Sequence, residues 1–230
     1  MSKNSSQSIA ILIFTRSAIT DAEHKSISDG EKLFDALNDH FLEVVENTGL
    51  PYIIIDDKHQ KGDSFGERYS KAIESVFNQG FENIISIGND SPRLSTEIIL
   101  DAVRTLQEGN ATIGPSVDGG FYLLGMHRSN FNRERFEKLS WQTQTITREV
   151  QKILEEKGRK YILLPTLFDI DCLYDLKLFI SQEDDCSKNL YNIAKDIFDT
   201  TVSKYLFVDV IDERLPMLAS EEKEYLKQKK

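Results

Sequence analysis

The stretch Ile84-Ile85-Ser86-Ile87-Gly88-Asn89-Asp90-Ser91-Pro92 is an apolar, β-favouring run that meets a glycine and then offers a carboxylate. Such a run reads as a strand buried on both faces, the kind found in parallel or mixed sheets covered by helices. In open α/β sheets, ligands settle outside the carboxyl ends of the strands. Asp90 therefore stands at the tip of a central strand, where its hard oxygens suit a cation such as Mg²⁺ or Mn²⁺. The competing reading has Asp90 merely organising the turn before Pro92 through nearby backbone amides.

The segments on either side repeat the strand-helix theme. Upstream, Ile9–Phe14 is a second continuous apolar run. Ser28 and Glu31 have capping-box spacing, and Leu33, Phe34, Leu37, Phe41, Val44 and Val45 then recur at helical intervals up to Gly49. Tyr52–Ile55 reads as a strand, and 66–79 as a helix ending at Gly80. Ser95 caps a helix whose apolar stripe is Ile98, Ile99, Ala102, Val103 and Leu106. Downstream the spacing predicts strands at 111–113, 121–126 and 161–164, and helices at 147–157, from Leu173, and around Leu190, Ile193, Ile197 and Phe198. This alternation predicts a single-domain three-layer α/β/α fold with a mostly parallel mixed sheet. Residues 1–8 are expected to be a flexible start and 9–182 the domain. Residues 183–230 are expected to be a helical extension packed on the domain and ending in a frayed charged tail.

Composition narrows the function. At 230 residues with a net charge of −10, the chain does not suit the coating of nucleic-acid phosphates, which needs clustered Lys and Arg. The early apolar run is too short for a membrane span and lacks a secretory cleavage pattern, so a cytoplasmic location is expected. Cys172 and Cys186 form neither a CxxC pair nor a disulfide framework and read as free thiols. His24, His40, His59 and His127 lack metal-ligand spacing. There is no Walker A loop, GxGxxG fingerprint or GxSxG elbow.

Further candidates also follow strands. In Gly114-Pro115-Ser116-Val117-Asp118-Gly119-Gly120-Phe121-Tyr122 the glycines admit a ligand close to the backbone, and Asp118 could bind an acceptor hydroxyl or act as a base. Asp118-Gly119 is equally a hairpin-turn signal. Asp169 and Asp171 share a side if extended, which would suit a second metal ligand, or else they are solvated carboxylates ahead of a helix. Arg16 and Arg68 could meet phosphates, with Gly62 and Gly66 forming a weak glycine-rich loop.

Gly62-Asp63 with Gly66-Glu67-Arg68, then Ile87 to Pro92, then Gly114-Pro115 with Asp118-Gly119-Gly120-Phe121-Tyr122-Leu123-Leu124-Gly125, then Trp141-Gln142-Thr143 and Asp169-Ile170-Asp171, follow one another in order. In this the sequence resembles a bacterial family of glycosyltransferase A-type proteins, related in fold to nucleotidyltransferases that activate sugars and cofactors. The likeness runs from Ile9 to about Leu176. It implies a nucleotide-diphospho-sugar transferase fold, Asp90 and Asp171 as metal ligands, and Gly119, Gly120, Trp141 and Thr143 around the acceptor or sugar. By the same matching, Arg16, Lys25, Gly62 and Arg68 would hold nucleotide phosphates. The family's Lys, Pro pair, Gly and Lys-Thr-Arg cluster after the first strand is replaced here by Arg16, Ala18, Thr20, Asp21, His24, Lys25 and Ser26.

The leading expectation is a metal-dependent glycosyltransferase that takes a nucleotide-sugar donor and a small-molecule acceptor, with Asp118 serving the acceptor. A nucleotidyltransferase joining a nucleoside triphosphate to a phosphorylated acceptor uses the same platform. A degenerate nucleotide-binding scaffold is the third reading. Homo-oligomerisation stays open.

Overall fold

The computed structural model describes residues 9–25, 27, 29–182 and 187–208. The segments expected to be a flexible start (1–8) and a frayed tail, together with Ser26, the Ser28 half of the capping box and Cys186, lie outside the described residues. Six strands form one sheet: β1 (Ile9–Phe14), β2 (Tyr52–Ile55), β3 (Asn83–Ile87), β4 (Ala111–Pro115), β5 (Phe121–His127) and β6 (Tyr161–Leu163), in the order β2-β1-β3-β5-β4-β6. β5 alone runs against its neighbours, since β1 pairs parallel with β2 and β3, and β4 with β6. The mixed, mostly parallel α/β architecture is the one expected.

The helices are α1 (Ala18–Lys25), α2 (Gly30–Glu46), α3 (Phe65–Asn78), α4 (Thr96–Gln107), α5 (Arg133–Glu137), α6 (Ile146–Glu156), α7 (Leu173–Ser181) and α8 (Lys188–Val208). Two compact units are made from them. The first, Met1–Arg16 with Phe41–Asp169, holds the whole sheet. Alternation along β1 sends Ala10 and Leu12 to a core built with Tyr69, Ile73 and Phe77 of α3, Phe136 of α5, and Val150 and Ile153 of α6. The opposite face is covered by α4 through Ile99, Ala102, Val103 and Leu106, and Thr96 Oγ1 of α4 donates to the Val44 carbonyl at 3.0 Å. β1 and β3 are buried along nearly their whole length, whereas the edge strands β2 and β6 leave Ile54 and Leu163 exposed. The continuous and alternating hydrophobic patterns of these strands thus reflect their positions in the sheet.

The second unit comprises Ser17–His40 and Ile170–Lys230. Within it α7 packs on α8, with the Phe179 and Tyr191 rings 6.5 Å apart and Tyr191 Oη donating to the Ile180 carbonyl at 3.3 Å. Residues 18–25, read in the sequence as the remnant of a phosphate loop, are helical as α1. Among the described residues no helix is long and apolar enough to cross a membrane.

Candidate functional site

Pairing of Ile13 with Ile87 in β1 and β3, of Ile87 with Leu123 in β3 and β5, and of Pro115 with Phe121 in β4 and β5 brings several strand ends to one edge of the sheet. Phe14, Gly88, Pro115 and the start of β5 therefore share that edge, and the loops leaving it carry the candidates. The Gly88 amide donates to the Tyr122 carbonyl at 3.1 Å and carries the ladder one step past β3. Beyond it Asn89 and Ser91 are buried while Asp90 between them is partly exposed. A Cβ placed on Gly88 would have no neighbour within 4 Å, so the backbone beside Asp90 faces open space. The loop closes with the Leu94 amide on the Ser91 carbonyl and passes directly into α4, which Ser95 caps.

The carboxylate that joins this loop is Asp169. Ser91 Oγ donates to Asp169 Oδ1, fixing the residue next to Asp90 against the chain end that follows β6. Burial, and then the negative charge of Asp169, push the Tyr122 phenol well above its ordinary range. The Tyr122 hydroxyl donates to the Pro165 carbonyl at 2.9 Å and anchors the same segment. Gly114 makes room for that ring, because a side chain there would collide with it. Arg93 stacks its guanidinium 5.8 Å from the centre of the Phe168 ring. Asp171, matched to a metal ligand by resemblance, lies in the other unit and pairs with Lys25 Nζ at 3.1 Å. Lys25 also donates to the Ile170 carbonyl at 2.9 Å and sits over the Phe34 ring, with its side chain only 6 % exposed. These two candidates are brought together as an ion pair, and Lys25 is not displayed to solvent.

Asp118 adopts the turn geometry that its neighbour Gly119 allows. Its Oδ1 accepts from Ser116 Oγ at 2.5 Å and from the Gly120 amide at 2.9 Å, and Gly119 holds φ +93°. Only Oδ1 is engaged in these bonds. The Asp118 and Val117 side chains are exposed at the tip. The turn rests on the segment before α6, because Thr147 Oγ1 donates to the Gly120 carbonyl at 2.5 Å and the Gln144 backbone closes over Gly119.

On the far side of β1, Gln60 links two more candidates. Its Nε2 donates to the Thr15 carbonyl at 2.8 Å and its Oε1 accepts from Arg68 Nε at 3.1 Å. Arg68 reaches the Asp63 carbonyl as well, at 3.3 Å, and so is tied to the tip of β1, where Arg16 follows Thr15. Gly62, with φ +136°, is pressed against Glu67, whose Oε2 accepts from the Asp63 amide at 3.1 Å. Trp141 is partly buried and Thr143 is exposed, its Oγ1 donating to the Ser140 carbonyl at 2.6 Å.

This edge thus collects Arg16, Arg68, Asp90, Asp118 and Asp169 within one unit. Among the described residues no three His, Cys, Asp or Glu side chains form a ready-made metal cage. One or two carboxylates nevertheless suit Mg²⁺ and its relatives, which complete their octahedron with water and substrate phosphate. A separate cleft of about 360 Å³ between α5 and α6 is lined by Arg135, Lys138, Lys152, Glu149 and Glu156, and an Arg135–Glu156 ion pair crosses it.

The fold matches that of a known structure. A proposed nucleotide-diphospho-sugar transferase from Desulfovibrio desulfuricans G20 superposes with a TM-score of 0.74 at 19% identity, over 84% of this chain and 98% of that one. The chain has the nucleotide-diphospho-sugar transferase fold. Residues 54–143 of the chain match the model of a family described as an uncharacterized protein conserved in bacteria (DUF2064). A weaker likeness is to Rv0371c from Mycobacterium tuberculosis H37Rv, with a TM-score of 0.47 at 10% identity over 76% of this chain and 98% of that one. CMP:2-keto-3-deoxy-manno-octonic acid synthetase complexed with CTP gives 0.44 at 12% identity, over 76% and 99%. No curated protein sequence matches the chain.

Sequence reasoning named Asp169 beside Asp171 and matched Asp171 to a metal ligand by resemblance, and it did not single out Ser91, Tyr122, Gln60 or Arg93. The usable signal for Asp169 was its place one residue after Phe168, directly behind the bridge that Leu167 makes with Ser116. That bridge is a tertiary pairing with no local signature.

Proposed function

We propose that the sheet-bearing unit binds a nucleotide-diphosphate sugar and transfers the sugar to a small-molecule acceptor with the help of a divalent cation. One observation carries the reading: Asp90 emerges partly exposed beside the open Gly88 backbone, and its neighbour Ser91 is bonded to a second carboxylate, Asp169. Asp90 and Asp169 would hold Mg²⁺ or Mn²⁺, which when bound neutralises charge developing on a leaving diphosphate. Arg68 assists from a fixed position. Gln60 and the Asp63 carbonyl orient its guanidinium and occupy two of its N–H groups, so others remain for phosphate oxygens. Arg16, at the end of β1, adds positive charge on the same side. Holding such groups in place before the reaction is what makes electrostatic stabilisation effective. Asp118 is the acceptor-side group: its Oδ1 is spent on the turn, which orients the carboxylate as a whole toward a hydroxyl donor.

Calorimetric titration of the full chain with UDP-, GDP- and CDP-sugars, with and without Mn²⁺, tests this. At least one donor should bind in a cation-dependent way, and Asp90→Asn should remove the cation dependence while circular dichroism stays native. Binding by no donor, or an unchanged cation response in Asp90→Asn, overturns the reading. Turnover should release nucleoside diphosphate; pyrophosphate released from a nucleoside triphosphate would replace glycosyl transfer with nucleotidyl transfer.

A further inference from the structure

The cleft of about 360 Å³ between α5 and α6 is large enough for a small organic molecule. Its floor is apolar: Ile153 is buried, and Leu139 packs against the core that includes Phe136. Its rim is charged, with Arg135, Lys138 and Lys152 all exposed. The two carboxylates of the lining are already committed. Glu156 pairs with Arg135, and Glu149 accepts from the Ser140 amide and from Thr145 Oγ1, both at 2.9 Å. Lys152 lowers the Glu156 carboxyl through its charge alone. The ammonium groups of Lys138 and Lys152 have no hydrogen bond and no ion pair within 4 Å among the described residues.

Positive charge continues past the end of α6. Lys157 Nζ donates to the Ser129 and Asn130 carbonyls, each at 3.0 Å, and Arg159 reaches Ser129 Oγ at 3.2 Å. Burial, and then the charges of Arg135 and Arg159, lower the Lys157 ammonium below its ordinary range, so these cations lie close enough to act on one another. Glu155, on the same turn, is spent on the Tyr161 hydroxyl at 3.0 Å. Arg135, Lys138, Lys152, Lys157 and Arg159 thus gather along α5 and the end of α6 in a chain whose net charge is −10. Like charges held together cost folding free energy, and an anion between them removes the repulsion.

This group of cations is not the one at the Asp90 edge. His127 pairs with Asn83, where β3 begins, so residues 128–130 leave the sheet at the edge opposite Gly88. From there the cleft follows α6 back to Glu149, whose bonds to Ser140 and Thr145 hold the two ends of the 140–145 loop. An occupant of the cleft would therefore touch a side chain that fixes this loop.

We infer that the cleft between α5 and α6 is an effector site for a small aromatic phosphate, with the phosphate held by Lys138, Lys152 and Arg135 and the ring laid on Leu139 and Ile153. A phosphate monoester carries nearly two negative charges at neutral pH and suits ammonium donors, and Arg135 keeps N–H groups beyond the one that meets Glu156. The inference does not depend on the transferase reading. Trp141 is the only tryptophan in the chain, and its Nε1 donates to the Phe136 carbonyl of α5 at 2.6 Å, so its emission reports on this wall of the cleft. The test titrates the full-length protein with phenyl phosphate, glucose 6-phosphate and inorganic phosphate. Phenyl phosphate should change Trp141 emission saturably and bind about tenfold or more tighter than the other two. A Lys138→Gln, Lys152→Gln double variant should weaken it about tenfold or more, while Arg68→Gln, at the opposite edge of the sheet, should leave its affinity unchanged. Circular dichroism checks that both variants are folded. No saturable response to phenyl phosphate, equal affinity for glucose 6-phosphate or inorganic phosphate, wild-type affinity in the lysine double variant, or loss of binding in Arg68→Gln overturns the site.

Discussion

Gly66 has no room for a side chain: a Cβ there would lie 2.6 Å from the Glu137 carbonyl oxygen and from the indole of Trp141. Gly66→Ala should therefore destabilise the fold by about 1–3 kcal/mol, as overpacking does. Urea denaturation followed by Trp141 emission measures this, and an unchanged midpoint would contradict the packing. Ser91 acts through its bond to Asp169, so Ser91→Ala should loosen the loop that carries Asp90 and lower Mn²⁺ affinity in the donor complex by roughly ten- to hundredfold. Calorimetry at fixed donor reads the change, and wild-type affinity would show that the bond positions nothing. Cys172 is half-buried, and burial first, with the Asp175 carboxylate also raising it, pushes its thiol up to about 11. Since the thiolate is the reactive form, Cys172 should alkylate about a hundredfold more slowly at mildly alkaline pH than an ordinary thiol. Peptide-level mass spectrometry with iodoacetamide checks this. Of these residues, Gly66 and its collision partner Trp141 were both visible in sequence as parts of motifs, whereas the contact between them, across 75 residues, was not.

Helix ends were legible where a side chain caps them. Ser64 Oγ accepts from the Glu67 amide at 3.1 Å and Ser95 Oγ from the Ile98 amide at 3.4 Å; α4 begins after the cap that the pattern predicts, and α3 begins at Phe65, one residue before the expected start. Ser64→Ala should cost about 1 kcal/mol by thermal or urea unfolding. Thr145, at the start of α6, makes no such backbone bond, and Thr145→Ala should cost less. α1 escaped the reading because AITDAEHK has no apolar stripe: its buried residues are Ala18 and Asp21. α5, five residues long, is too short for periodicity to register. Carboxylates on these elements set the acid response. The Glu67 carboxyl is lowered first by the Asp63 amide, that of Glu149 by the Ser140 amide, and that of Glu156 by Arg135. A carboxyl held below its unfolded value stabilises the fold above that value, and the gain is lost as pH falls through the folded one. The melting temperature should accordingly fall on going from about pH 6 to about pH 3, with a shallower fall in a Glu67→Gln, Glu149→Gln, Glu156→Gln triple variant.

At the level of the sheet, β1, β3, β4 and β5 each have partners on both sides while β2 and β6 are edges. Backbone hydrogen exchange should be slowest in β1 and β3, which are buried along nearly their whole length, and fastest in β2 and β6. Equal protection across all six strands would contradict the order. Sequence alone settled the class of fold and the elements other than α1 and α5, because burial on two faces, burial on one face and helical amphipathicity each leave a distinct local period. It also placed Asp90, since a strand end marked by glycine is a local event. Tertiary structure decided the rest. The bond of Ser91 to Asp169, the tying of Arg68 to β1 by Gln60 and the pairing of Lys25 with Asp171 all join residues distant along the chain. Contacts of that kind depend on strand order and loop closure, which no run of neighbouring residues encodes.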